Sequence, residues 1–169
     1  MAFDSAGNLW ITSYAGIVRF DGVQRLGGAV TASPTAVIAK VGFAGNIYFY
    51  GLAFDANGAL WASAAIGDAL NSVVKFASPG SLSGSSSPVP DVTIAGVGDW
   101  LPAGGLAFDP RGNLWAAASN AIIEYADPGR MSGSVVPAAS ATMSVFNDAA
   151  PTLYSHLVFF PAPPGLPLY

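Results

Sequence analysis

One eight-residue pattern occurs three times and constrains this chain more than any other feature. It stands as Phe3-Asp4-Ser5-Ala6-Gly7-Asn8-Leu9-Trp10, as Phe54-Asp55-Ala56-Asn57-Gly58-Ala59-Leu60-Trp61, and as Phe108-Asp109-Pro110-Arg111-Gly112-Asn113-Leu114-Trp115. The Phe residues lie 51 and then 54 apart, and a degenerate fourth start, Leu157-Val158-Phe159, follows at a similar distance. Each copy is followed by an apolar segment ending in an aromatic: Ile17 to Phe20, Val73 to Phe76 and Ile122 to Tyr125. A third marker, Ile38, Ile94 or Met143, comes 18 residues after that aromatic. Self-similarity at a fixed period marks a repeat architecture in which neighbouring units bury one another's faces.

The pattern contains its own turn. Asp at the first position of a type I turn accepts backbone N–H groups two residues on, Pro110 suits the next position, and Gly takes the left-handed residue that closes a bulged hairpin. Phe-Asp and Leu-Trp are therefore expected to be paired antiparallel strands. Each unit is predicted to hold four short strands, which in the second unit lie around 52–54, 60–64, 72–76 and 91–95. Trp10, Trp61 and Trp115 are expected in the core between successive sheets, because aromatic side chains supply the largest buried areas. No segment carries apolar residues at helical spacing free of Gly, Pro or β-branched runs, so the chain is predicted to be all-β. A period near 50 with four strands per unit points to propeller blades: about three, plus a partial terminal one. The expected divisions are 1–45, 46–99, 100–148 and 149–169.

Composition narrows the partners. With 52% hydrophobic and 9% charged residues among 169, the chain has the opposite balance to a disordered one. Six Lys and Arg against 10 Asp and Glu give a net charge of -4, which offers no basic field for a nucleic acid. The long uncharged stretches are broken by Ser and Pro, so no membrane span is expected. Without Cys there is neither disulfide nor thiolate chemistry, and the opening Met1-Ala2-Phe3-Asp4 shows no leader pattern.

The run Leu106 to Trp115, followed by an apolar strand ending in an aromatic, resembles the NHL-repeat and streptogramin-lyase-like β-propellers of bacteria. The resemblance implies a propeller scaffold, and a secreted or periplasmic location. Lyases and lactonase-type (SMP-30-like) propellers would imply a divalent metal held by His and Glu in the central channel, yet this chain has one of each, His156 and Glu124. Three units do not close a ring, so two expectations follow from the length: more chain, or a second copy completing a six-bladed ring.

Because consecutive strands run antiparallel, the loops alternate between two faces. The repeated turns and the Ser-Gly linkers at 83–88 and 132–137 are expected on one face, in structural roles. The opposite face receives the second-to-third-strand loops and the unit junctions. There the second unit has five extra residues between Trp61 and Phe76, around 66–71, and rigid scaffolds carry function on such variable loops. The candidate ligand-binding residues on that face are Asp68, Asn71, Tyr48, Tyr50, Asp99, Trp100, Asp148 and His156, a mixed aromatic and acidic rim suited to a small polar ligand or a protein partner. The repeated Asp4, Asp55 and Asp109 are assigned to turns and not to a metal, and no cofactor is expected. Glu124, with Arg19 and Lys75 at the equivalent positions, is expected on an outward-facing surface. No Gly-x-Ser-x-Gly elbow occurs. The expected function is a non-catalytic binding scaffold; the alternative is a metal-dependent lyase or lactonase-type centre completed by further blades or a second chain.

Overall fold

The computed structural model describes residues 1–23, 27–28, 31–39, 47–66, 70–96, 104–118, 121–144 and 157. These form three stacked antiparallel-based sheets, with no α-helix among the described residues. In the first sheet β1 (Ala2–Phe3), β2 (Leu9–Ser13), β3 (Gly16–Phe20) and β4 (Ala36–Ala39) lie in sequence order. The second is built from β5 (Ile47–Phe54), β6 (Leu60–Ile66), β7 (Leu70–Phe76) and β9 (Val92–Ala95). The third contains β10 (Leu106–Phe108), β11 (Leu114–Ala117), β12 (Ala121–Tyr125) and β14 (Ala141–Ser144). All three expected strand sets are present, one to a sheet.

The octapeptide forms the same turn each time. Asp4 Oδ1 accepts the backbone N–H groups of Ala6 (3.0 Å) and Asn8 (2.9 Å), while Gly7 N–H donates to the Asp4 carbonyl (2.9 Å). Gly7, Gly58 and Gly112 have φ of 80°, 80° and 86°, the left-handed conformation that a Cβ disfavours. The turn thereby sets the register Phe3↔Leu9, Phe54↔Leu60 and Phe108↔Leu114.

Two hydrophobic layers lie between the three sheets. Trp10, Ile17 and Ile38 of the first sheet pack with Leu52, Phe54, Leu60, Val74 and Phe76 of the second. The opposite face of the second sheet, with Trp61, Val73, Val92 and Ile94, packs on Leu106, Phe108, Leu114 and Tyr125 of the third. Successive residues of a strand point to opposite faces, so Val73 and Val74 enter different layers. The middle sheet is covered on both sides, which is why β6 reads Leu-Trp-Ala-Ser-Ala-Ala with almost no exposed position. Edge-on contacts of Trp10 with Phe54 and of Trp61 with Phe108, each at 5.9 Å between ring centroids, repeat from layer to layer. Trp115 departs from the expectation for the three tryptophans: it is only partly buried, whereas Trp10 and Trp61 are fully enclosed.

The Ser-Gly linkers are not plain connections. Residues Gly84–Ser86 form β8, which pairs in parallel with β4 of the preceding sheet, Ala36 opposite Gly84 and Ile38 opposite Ser86. Residues Gly133–Val135 form β13 and pair in the same way with β9, Gly133 opposite Val92. Each linker starts with a 3-10 turn, Pro79–Ser81 or Pro128–Arg130, whose proline is buried. It then sets Leu82 or Met131 against the preceding layer. The first and second sheets therefore have five strands, the fifth supplied by the following unit, and the third has four.

Candidate functional site

Tyr48 and Tyr50 lie on β5 and not in a junction loop, because the strand begins at Ile47. Burial alternates along it: Ile47 and Phe49 point into the core, and Tyr48 and Tyr50, at 44% and 45% exposure, point out. Beside them stands the tight β2–β3 turn, where Tyr14 is 90% exposed and Ser13 Oγ donates to the Gly16 carbonyl at 3.2 Å. Thr12, Ser13, Tyr14, Tyr48, Phe49 and Tyr50 line an open groove of about 350 Å³ on the face opposite the octapeptide turns. Sequence reasoning missed Tyr14; its signal was an aromatic in a two-residue hairpin turn, where a small polar residue is usual.

The groove floor is fixed by bonds across the seam between units. Thr12 Oγ1 donates to the Tyr50 carbonyl at 3.3 Å. One unit on, the equivalent hydroxyl, Ser63 Oγ, donates to the Gly104 carbonyl at 2.9 Å and accepts the Gly51 N–H at 2.7 Å. Ser63 is fully buried, and Gly51 occupies the irregularity between Phe49 and Leu52 where β5 and β6 shift register. A Cβ at Gly51 would stand 2.1 Å from the Gly104 carbonyl oxygen, so only glycine allows the two sheets to approach this closely.

The other expected rim residues are distributed differently. Asn71 is on β7, its backbone opposite Ala65 on β6. In the second unit β6 continues to Ile66 and β7 starts at Leu70, so Ile66, Leu70 and Asn71 of the segment expected as a loop are strand, and 67–69 lie outside the described residues. Asp68, Asp99, Trp100, Asp148 and His156 lie outside the described residues. Leu157, expected to open a fourth unit, is partly buried and not in a strand. Among the described residues no three His, Asp or Glu side chains group together closely enough to hold a metal ion, and no helix is long and apolar enough to cross a membrane.

The repeated aspartates sit on the opposite face and have a full set of partners. Besides the turn N–H groups, the indole Nε1 of the same copy's tryptophan donates to Oδ2 of Asp4 (2.9 Å), Asp55 (3.0 Å) and Asp109 (3.3 Å). Burial of Asp109 works to raise its pKa, but the Asn113 and Arg111 backbone N–H groups, the Trp115 indole and the Asn113 amide together outweigh it. Its carboxyl is held below the ordinary carboxylate value.

Glu124 corrects the expectation of an outward surface. Arg19 and Glu124 are each only 8% exposed; each is directly cross-strand to its own unit's tryptophan, and for Arg19 that face lies between the first and second sheets. Arg19 and Lys75 lie over the rings of Trp10 and Trp61, at 5.6 and 5.4 Å from the centroids. Arg19 also reaches the Gly80 carbonyl of the next unit's linker (3.1 Å) and pairs with Asp21 at 2.7 Å. Glu124 instead accepts from Asn113 Nδ2 (2.8 Å) and Ser140 Oγ (3.1 Å), with Arg111 at 3.7 Å.

The tyrosine-lined groove is thus the one expected rim element that the described residues assemble. Compared with protein-family models, with curated proteins and with solved structures, the chain matches none of them.

Proposed function

We propose that this chain is a segment of a non-catalytic β-propeller scaffold of the NHL-like kind, whose groove at the junction of the first and second units binds a polar ligand or a peptide. Three sheets stacked face to face, each with four strands from one sequence unit, support the propeller reading. The single observation carrying the binding reading is the trio Tyr14, Tyr48 and Tyr50 around a groove of about 350 Å³. Tyrosine pairs a flat apolar surface with a hydroxyl and loses little side-chain entropy on binding, which suits the faces of sugars and the edges of peptides. Ile47 and Phe49 alternate with the two β5 tyrosines in the core and hold them in place before any ligand arrives. A secreted or periplasmic scaffold would meet such ligands outside the cell.

The test is a calorimetric screen of neutral oligosaccharides and short peptides against the chain and its Tyr48→Ala/Tyr50→Ala form. Both side chains are about half exposed, so the double variant is expected to keep its unfolding temperature and to lose binding at least tenfold. Equal binding by both forms, or binding of no member of either class, would overturn the proposal.

A further inference from the structure

We infer that the chain carries a self-cleavage site at the Asp127–Pro128 peptide bond, cut by attack of the Asp127 side-chain carboxyl on its own backbone carbonyl. Among the described residues Asp127 is the only one other than glycine with a positive φ, at φ 46° and ψ 46°. A following proline pushes the residue before it toward extended backbone, so the left-handed geometry is held here against the local preference. The linker does not demand it. In the second unit the same segment reads Ala77-Ser78-Pro79-Gly80-Ser81, against Ala126-Asp127-Pro128-Gly129-Arg130 in the third, and it builds the same 3-10 turn with Ser78 at φ -131°. The strain therefore belongs to Asp127 and not to the turn.

The reacting atoms are independently prepared. The Asp127 carbonyl oxygen accepts the Arg130 backbone N–H at 3.1 Å, which polarises the carbonyl carbon and stabilises the negative charge that attack places on the oxygen. The Asp127 side chain is exposed and makes no capping hydrogen bond, which leaves its carboxyl available as the nucleophile. Pro128 is buried, so the leaving nitrogen is fixed while the carboxyl turns toward the carbonyl. A carboxyl oxygen bonds to the carbonyl carbon and closes a five-membered ring, an intramolecular attack favoured by proximity. The C–N bond to Pro128 then breaks, its electron pair stays on nitrogen, and the nitrogen takes up a proton from the carboxyl or from water. One water molecule, admitted because Asp127 is exposed, hydrolyses the remaining cyclic anhydride. Asp127 ends with two carboxyl groups and Pro128 with a free secondary amine.

The other Asp-Pro bond of the chain, Asp109–Pro110, supplies the contrast. Its carbonyl also accepts an N–H, from Gly112 at 2.9 Å. Its carboxylate, however, is occupied: Oδ1 accepts the N–H groups of Arg111 (2.8 Å) and Asn113 (2.9 Å), and Oδ2 accepts from the Asn113 amide (3.1 Å) and the Trp115 indole (3.3 Å). Asp109 is also only 4% exposed. Attack there would first have to dismantle the hairpin turn, so folding directs cleavage to Asp127. The cut leaves β13 paired with β9 and β14 paired with β12, which holds the two pieces together after the bond is gone. It is a single intramolecular event and leaves the tyrosine-lined groove, on other strands, untouched.

The test is to hold the purified chain in mildly acidic buffer, at a pH where circular dichroism shows it folded, and to follow it by denaturing gel and mass spectrometry. Fragments 1–127 and 128–169 are expected, with Asp127–Pro128 cut roughly tenfold or more faster than Asp109–Pro110. The Asp127–Pro128 bond should also be cut faster in the folded chain than in the same buffer with guanidinium chloride, where the two Asp-Pro bonds should become comparable. Asp127→Ser installs the residue that the second unit already uses, so it is expected to fold with an unfolding temperature no lower than that of the unaltered chain and to yield neither fragment. The inference is overturned if the folded chain is not cut at Asp127, if it is cut there no faster than in guanidinium chloride, or if Asp127→Ser is cut at the same place.

Discussion

Asp109 and Ser63 show how much one side chain can organise when it serves two elements at once. The Asp109 carboxylate closes a turn with Oδ1 and orients Trp115 with Oδ2. Asp109→Asn would turn one acceptor oxygen into an N–H donor facing the indole and the Asn113 amide, at a cost of about 1–3 kcal/mol at neutral pH. The pH dependence follows from the direction of the shift. The folded carboxyl has the lower pKa, so its stabilisation is complete above the ordinary value of about 3.9 and is lost as pH falls through the folded one. Chemical denaturation across pH 7 to 3 should therefore show the gap between the chain and Asp109→Asn narrowing toward the acid end; a constant gap would mean the carboxylate's charge is immaterial. Ser63→Ala removes the partner of a part-buried N–H at Gly51 and of a part-buried carbonyl at Gly104, and a loss of about 1–3 kcal/mol in urea titration is expected.

Among the elements, the irregular β5 strand and the lent linker strands distinguish this stack from three separate sheets. Gly51→Ala would drive a methyl group into the Gly104 carbonyl oxygen, and the sheets would have to separate locally. The expected cost is about 1–3 kcal/mol, the range for overpacked cores, seen as a lowered unfolding midpoint; an unchanged midpoint would show that the second and third sheets can move apart freely. These elements also mark where the sequence was readable. The three hairpins were legible because Asp, Gly and the flanking apolar residues act locally, within eight positions. The bond from each tryptophan to its aspartate was not, since it crosses a hairpin and involves a group that propensity ignores. The linker strands were illegible for a stronger reason: Ser, Gly and Pro read as loop, and only pairing with a chain segment 48 or 41 residues earlier makes them extended. In the groove, Tyr48 and Tyr50 were found from their position near a unit junction, but alternation with Ile47 and Phe49 was the better signal and would have placed them on a strand. The charge at Arg19 and Glu124 misled because a polar side chain can be enclosed when it lies over a tryptophan ring, as Arg19 does, or is hydrogen-bonded, as Glu124 is.

For the whole molecule, the middle sheet is the only one with both faces and its outer edge covered by described residues, and stability should be graded accordingly. In stacks where each unit touches only its neighbours, the terminal units open first. Hydrogen exchange is expected to be slowest in β6 and β7 and faster in β14, whose residues are exposed and whose outer edge pairs with no strand among the described residues; uniform protection across the three sheets would contradict a nearest-neighbour stack. The borrowed fifth strand has a further meaning for the order in which the chain is made. When β4 leaves the ribosome its outer edge has no partner, and the strand that closes it, Gly84–Ser86, is synthesised only after the whole hairpin of the next unit. The first and second nascent sheets thus each expose a sticky edge for about one repeat's worth of translation, and the growing polypeptide becomes its own chaperone by covering these edges with the next segment to emerge.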